Sequence, residues 1–200
     1  MPSKIAASEI AHSKNAIHRF SQPAFLSAKG LTPAQRGTAL HDFMQFCDLK
    51  RAGENPEREI ARLTEEQYIS KAQADSIDRD ALSAFFRSEA AERMLRAPEC
   101  LREYRFAVLL PAKEVFPETA GKIGNEPMIL QGAFDCVLLE EDGAVIIDYK
   151  SDRIDDAEEL AERYREQLRL YREAVPRIFS LPVKTCLIYS FHLGKSITVY

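Results

Sequence analysis

The sequence predicts an α/β fold, a mixed central β-sheet flanked by helices, with a helical N-terminal half. Three observations carry this. The first half places apolar residues at helical spacing. From about residue 101 the chain changes to short runs that alternate apolar and polar residues or turn wholly apolar, as strands do. A strand (144–150), a long amphipathic helix (156–175) and another strand (183–191) then follow one another, the order of a right-handed crossover between parallel strands.

Within the helical half, "SEIAHSKNAIHRF" (8–20) has helical periodicity. "TPAQRGTALHDFMQFCDL" (32–49) opens on Thr32 as N-cap and Pro33 in the first turn, with Leu40, Phe43, Met44 and Cys47 as its stripe. "NPEREIARL", "TEEQYISKA" and "SIDRDALSAFFRSEAAERMLRA" follow as helices broken by Gly53, Pro56 and Pro98, with Thr64 and Ser76 as N-caps. In the second half, 102–112 and 128–140 read as strands, separated by a loop with Gly and Pro punctuation (113–127). "EEDG" (140–143) has turn chemistry and joins the second strand to the third, "AVIIDYK". Strands at 183–191 and 196–200 close the chain around Gly194.

Two hundred residues predict one domain, with 1–100 as a helical part packed on a core formed by 101–200. The apolar fraction of 46% suffices for a real core. A net charge of −4 argues against a protein that holds nucleic acid by a broad basic surface, but leaves room for a site that meets phosphate through a metal. Cys47, Cys100, Cys136 and Cys186 are widely spaced with no CxxC pair, so neither a zinc ribbon nor an iron–sulfur cluster is expected. They read as reduced thiols of a cytoplasmic protein. No apolar run of membrane length and no signal-peptide pattern occurs.

The chemistry concentrates in a few positions. "VIIDYKSDR" (145–153) runs from a buried strand straight into Asp148 and Lys150, which alternation places side by side on one face. Burying such charges costs several kcal/mol each, roughly, unless they are paired or bind a metal. Asp135 lies inside the preceding strand. If the turn at 140–143 makes a hairpin, Asp135 and Asp148 become neighbours, because their midpoint falls within the turn. The helix at 156–175 buries Leu160, Tyr164, Leu168, Tyr171 and Val175, and Gln167 lies within that stripe, four residues before Tyr171. His41 flanks the apolar face of the early helix, four residues after Gly37. Two crowded carboxylates repel unless a cation lies between them. Oxygen ligands with one imidazole suit a hard divalent ion, and an adjacent lysine can stabilise phosphoryl charge. Together these groups suit phosphodiester hydrolysis.

Asp135 followed by "Asp148-Tyr149-Lys150" resembles the signature of the PD-(D/E)xK nuclease superfamily. "RGTALH" (36–41) is similar to the RGxxxH box of its RecB-type branch, and "QLRLY" (167–171) to its QxxxY motif. The phrase "LQGAFDCVLLEEDGAVIIDYKSDR" (130–153) resembles the nuclease motif of AddA-type helicase–nucleases. The resemblance implies a restriction-endonuclease-like core that uses Mg²⁺, or Mn²⁺, to hydrolyse DNA. It implies metal ligation by His41, Asp135, Asp148 and the Tyr149 carbonyl, a catalytic Lys150, and support from Gln167 and Tyr171. Glu103 and Arg36 are further candidates. It also implies a parent protein with a helicase motor, an AddB-like partner and a single-stranded DNA end as substrate. No Walker A loop occurs in this chain, so a fragment of a longer protein is expected. A stand-alone RecB-like or Cas4-like nuclease and a non-catalytic DNA-binding module with this fold remain alternatives. Arg36, Lys150, Arg153, Arg163 and Arg165 either line a phosphate path or are solvated charges.

Overall fold

Side-chain caps set the starts of the N-terminal helices. The computed structural model describes residues 4–7, 31–117 and 124–200; the helix expected at 8–20 lies outside them. α1 (Pro33–Phe46) begins at a Thr32–Gln35 capping box and ends at Cys47. α2 (Leu49–Glu54) is capped by Asp48, and α3 (Pro56–Glu65) by Asn55. α4 (Lys71–Ser76) starts on a second capping box, Ser70–Gln73, α5 (Arg79–Phe86) on Asp78 and α6 (Glu89–Arg96) on Ser88. Two expected caps are therefore corrected. The Thr64 hydroxyl donates back to the Ile60 carbonyl from within α3, and Ser76 ends α4. The run 76–97 is not one helix, because Asp78 and Ser88 each satisfy the free N–H groups of a new start.

The strands are β1 (Lys4–Ala6), β2 (Glu99–Pro111), β3 (Pro127–Glu140), β4 (Gly143–Lys150), β5 (Val183–Ser190) and β6 (Lys195–Thr198). They form one mixed sheet in the order β1-β3-β4-β5-β6, with β2 also on β3. β3 and β4 are the expected hairpin, in the register Cys136↔Ile147 and Val137↔Ile146. Gly143, at a φ of 154°, is required at its turn, since a Cβ there would lie 2.7 Å from the Pro182 carbonyl oxygen. A short helix, α7 (Ala112–Val115), begins at the last residue expected in the strand 102–112 and runs into the expected 113–127 loop. β4 and β5 are parallel and are joined by α8 (Ala157–Phe179). α8 runs past Pro176, beyond the end expected from the sequence, and Ile178 and Phe179 pack on the core. Arg169 of α8 ties α7 to it by donating to the Glu114 and Val115 carbonyls. β1, too short to be legible as a strand, pairs in parallel with β3.

Helices cover both faces of the sheet. Phe43, Met44, Leu63, Leu82, Phe85 and Met94 pack with Cys136, Val145, Ile147, Tyr149 and Tyr189 on one face. On the other, Phe134, Val137, Ile146 and Ile188 meet Leu160, Tyr164, Leu168, Tyr171 and Val175 of α8. β2 pairs with β3 along nearly its whole length, so β1 and β4 must share the other edge of β3. β4 pairs there with 136–140 and β1 with 129–131. Between them the sheet forks at 132–135, and Asp135 stands at the fork.

Candidate active site

The end of β4 brings Asp148 and Lys150 together, as alternation requires. Asp148 is fully buried. The Lys150 ammonium lies 2.5 Å from Asp148 Oδ2, off the line of a hydrogen bond, so that oxygen is buried with no aligned donor. Gln167 of α8 donates weakly to the other oxygen, at 3.4 Å, and also to the Tyr171 hydroxyl at 2.9 Å. Tyr171 in turn donates to the Ala133 carbonyl at the fork, at 2.7 Å. The motif pair on α8 thus ties Asp148 to the backbone of β3.

Asp135 enters from β3. Its Oδ2 accepts the Tyr149 N–H at 2.7 Å, which continues the hairpin register through a side chain after the ladder ends. Its Oδ1 faces His41 Nδ1 at 3.6 Å. His41 reaches the fork from α1, where Gly37, one turn earlier, permits a close approach: a Cβ at 37 would lie 3.3 Å from Ser151 Oγ. The Tyr149 ring packs edge-on against His41, and its hydroxyl donates to Met94 Sδ. Arg36 is exposed in the first turn of α1 and forms no ion pair among the described residues.

Glu103 completes the cluster through strained backbone. Arg102↔Cys136 and Tyr104↔Phe134 are paired, but Glu103, opposite Asp135, has a φ of 49° and leaves the ladder. A non-glycine residue in the left-handed region costs on the order of 1–3 kcal/mol and persists where its surroundings hold it. Here Glu103 Oε1 sits 3.0 Å from His41 Nδ1. The ligating atoms of His41, Glu103 and Asp135 all lie within 4.8 Å of one another. Glu103 is a candidate in the sequence by resemblance alone, and no sequence signal shows its backbone strain.

The electrostatics follow from the crowding. Burial, with help from Asp135 and against Lys150, raises the Asp148 carboxyl from 3.8 to about 6. Burial also opposes charge on Lys150, but Asp148 and Asp135 outweigh it and hold the ammonium above its ordinary value. For His41, burial opposes protonation, and Asp135 and Glu103 overcome it, raising the value from 6.5 to about 9. A raised folded-state value stabilises the fold fully below pH 6.5 and ceases to do so as pH rises through about 9. In EDTA, the melting temperature of the wild type relative to His41→Gln should therefore fall between pH 6.5 and 9. A flat difference across that window would show that His41 is not held protonated.

The donor set, carboxylates with one imidazole beside a buried carboxylate oxygen that lacks an aligned hydrogen bond, fits a hard divalent cation. Two features have no signal in the sequence: the strain at Glu103, and the place of Tyr164, whose ring lies under the Lys150 ammonium.

The chain is similar to known proteins. The A component of an ATP-dependent helicase/nuclease from Geobacillus thermodenitrificans is 39% identical over 183 residues, covering 86% of this chain and 15% of that protein. The Bacillus licheniformis protein of the same name is 38% identical over 186 residues, 88% of this chain and 15% of the relative. That of Desulforamulus reducens is 35% identical over 217 residues, 99% of this chain and 17% of the relative. The chain thus spans about 15% of the length of the first two relatives. A family model described as the PD-(D/E)XK nuclease superfamily matches residues 11–194. With nearly its whole length matched, the chain belongs to the PD-(D/E)XK nuclease superfamily.

Proposed function

We propose that this chain is the metal-dependent deoxyribonuclease part of an AddAB-type helicase–nuclease, cleaving DNA strands during double-strand-break repair in the cytoplasm. The observation that carries this reading is the seating of the Lys150 ammonium on buried Asp148, at the fork where Asp135, His41 and Glu103 converge. Its membership of a nuclease superfamily and its likeness to helicase/nuclease proteins support it. No helix among the described residues is long and apolar enough to cross a membrane.

His41, Asp135, Asp148 and the Tyr149 carbonyl would hold Mg²⁺ or Mn²⁺, with Glu103 positioned beside His41. Such an ion polarises a phosphoryl oxygen and lowers the pKa of bound water. Lys150 carries its charge at neutral pH and acts as a donor to oxygen that gains charge as the phosphodiester breaks. Gln167 and Tyr171 keep the Asp148 carboxylate aimed at the fork. The substrate would be a 3′-terminated strand delivered by the motor of the parent protein, with an AddB-like protein as partner. We assign residues 1–100 to a part that carries the helices α1–α6 and residues 101–200 to the nuclease core, with β1 joining the sheet of that core. Cleavage of end-labelled single-stranded DNA in Mg²⁺, abolished by EDTA, is the direct test. DNA binding without metal-dependent cleavage would favour a non-catalytic module.

Affinity for DNA should be low. The cations of α8 are largely neutralised by neighbours: Arg163 by Asp152 and Glu159, Arg165 by Glu162, Arg169 by Glu166, and Arg177 by Glu114 and Glu173. Two or three phosphate contacts, roughly, would give micromolar or weaker binding with a salt slope of about −0.7 per phosphate. Tethering to a motor would replace intrinsic affinity by effective concentration. Fluorescence anisotropy in Ca²⁺ checks this. Nanomolar binding with a steep salt slope would reveal a basic groove and favour a stand-alone nuclease.

A further inference from the structure

The lysine that the proposed reaction depends on is held by more than its aspartate. Lys150 Nζ lies 4.3 Å from the centre of the Tyr164 ring, over its face. That ring is buried, and its hydroxyl donates to Asp152 Oδ2 at 3.0 Å. Burial, with Asp152 adding to it and Lys150 opposing it, pushes the hydroxyl up to about 12, so it remains a donor at any working pH. Asp152 is steadied from its other side by Arg163 Nη1 at 3.5 Å. The ammonium is therefore bounded by two groups of different kinds. Asp148 attracts it as a charge, and the Tyr164 face attracts it through the ring quadrupole while excluding water.

The placement follows from α8. Tyr164, Gln167 and Tyr171 stand at i, i+3 and i+7, one stripe of a helix. In that order they touch Lys150, Asp148 and the β3 backbone at Ala133. A lysine side chain has four rotatable stem bonds and loses its position readily. The opposing ring, its centre 4.3 Å from the ammonium, stands on the side of α8, where it opposes movement of the ammonium away from the fork.

We propose that Tyr164 is a positioning residue for Lys150, whose ring face, fixed through Asp152, holds the ammonium where it can act on the scissile phosphate. This rests on the reading of Lys150 as catalytic. The aromatic face should be the active feature, and the hydroxyl should only tune it.

The test compares Tyr164→Leu with Tyr164→Phe. In Mg²⁺-dependent cleavage of single-stranded DNA, Tyr164→Leu should lower kcat about tenfold or more while KM stays within about twofold. Tyr164→Phe, which keeps the face, should recover most of the rate. Mn²⁺ affinity by calorimetry should be unchanged in both, because no ligand is removed. Wild-type kcat in Tyr164→Leu, equal losses in both variants, or loss of Mn²⁺ binding would each overturn the proposal. A measurement without turnover decides the matter independently. Acetylation of Lys150 by a water-soluble active ester, followed by mass spectrometry, should be several-fold faster in Tyr164→Leu and near the wild-type rate in Tyr164→Phe. Unchanged labelling in Tyr164→Leu would overturn the proposal, whereas a wild type that cleaves nothing with any divalent ion would sink the nuclease reading instead.

Discussion

Asp135→Asn should reduce metal-dependent cleavage by about 10²–10³-fold, the scale of losing transition-state charge stabilisation, here that of the cation Asp135 would help to hold. The fold should tolerate it. The Asn side-chain oxygen can still accept the Tyr149 N–H that Asp135 Oδ2 now accepts. The lost charge also relieves repulsion of Asp148, whose carboxyl Asp135 helps to raise. Against this, His41 loses one of the two carboxylates that keep it protonated. The two effects oppose each other, so the metal-free melting temperature should change little. Cleavage at the wild-type rate with normal Mn²⁺ affinity would remove Asp135 from the site. A collapse in melting temperature would instead make its role structural.

Lys150→Ala should separate rate from metal binding. An ammonium cannot ligate a cation, so Mn²⁺ affinity by calorimetry should persist or rise, while the cleavage rate falls by about 10²–10³-fold. The stability consequence differs from that of Asp135→Asn. Removing one member of a buried ion pair leaves the other uncompensated, at a cost of roughly 3 kcal/mol. Asp148 limits that cost by taking up a proton. Its carboxyl is already raised to about 6, and loss of the ammonium that lowers it drives it higher. A carboxyl raised in the folded state destabilises the fold as pH climbs through its folded value. The metal-free variant should therefore match the wild type most closely near pH 5 and lose melting temperature toward pH 8. Equal loss of Mn²⁺ affinity in the lysine and aspartate variants would mean that the roles are misassigned.

Much of the site was legible because it depends on local periods. Strand alternation puts Asp148 and Lys150 on one face, and the turn at 140–143 fixes the hairpin register that sets Asp135 beside the end of β4. Helical periodicity aligns Gln167 with Tyr171, and their contact is made within one turn of α8. The helix boundaries were less legible where several residues competed as caps. Ser70 and Gln73, rather than Thr64, form the capping box of α4, although the Ser-x-x-Gln spacing is visible in the chain.

What only the tertiary structure decided lies between elements far apart in sequence. His41 and Glu103 are 62 residues apart, and their contact depends on how α1 seats against the sheet and on a backbone distortion that no propensity predicts. The three residues of β1 acquire a strand only by pairing with β3, which also opens the fork. Tyr164 read as one more apolar stripe residue. Its place beneath Lys150 follows from the parallel β4–α8–β5 crossover, which lays α8 across the end of β4. Periodicity tells which face of an element is buried, whereas the neighbour it meets is set by packing between layers, where the same apolar face could have met any complementary surface.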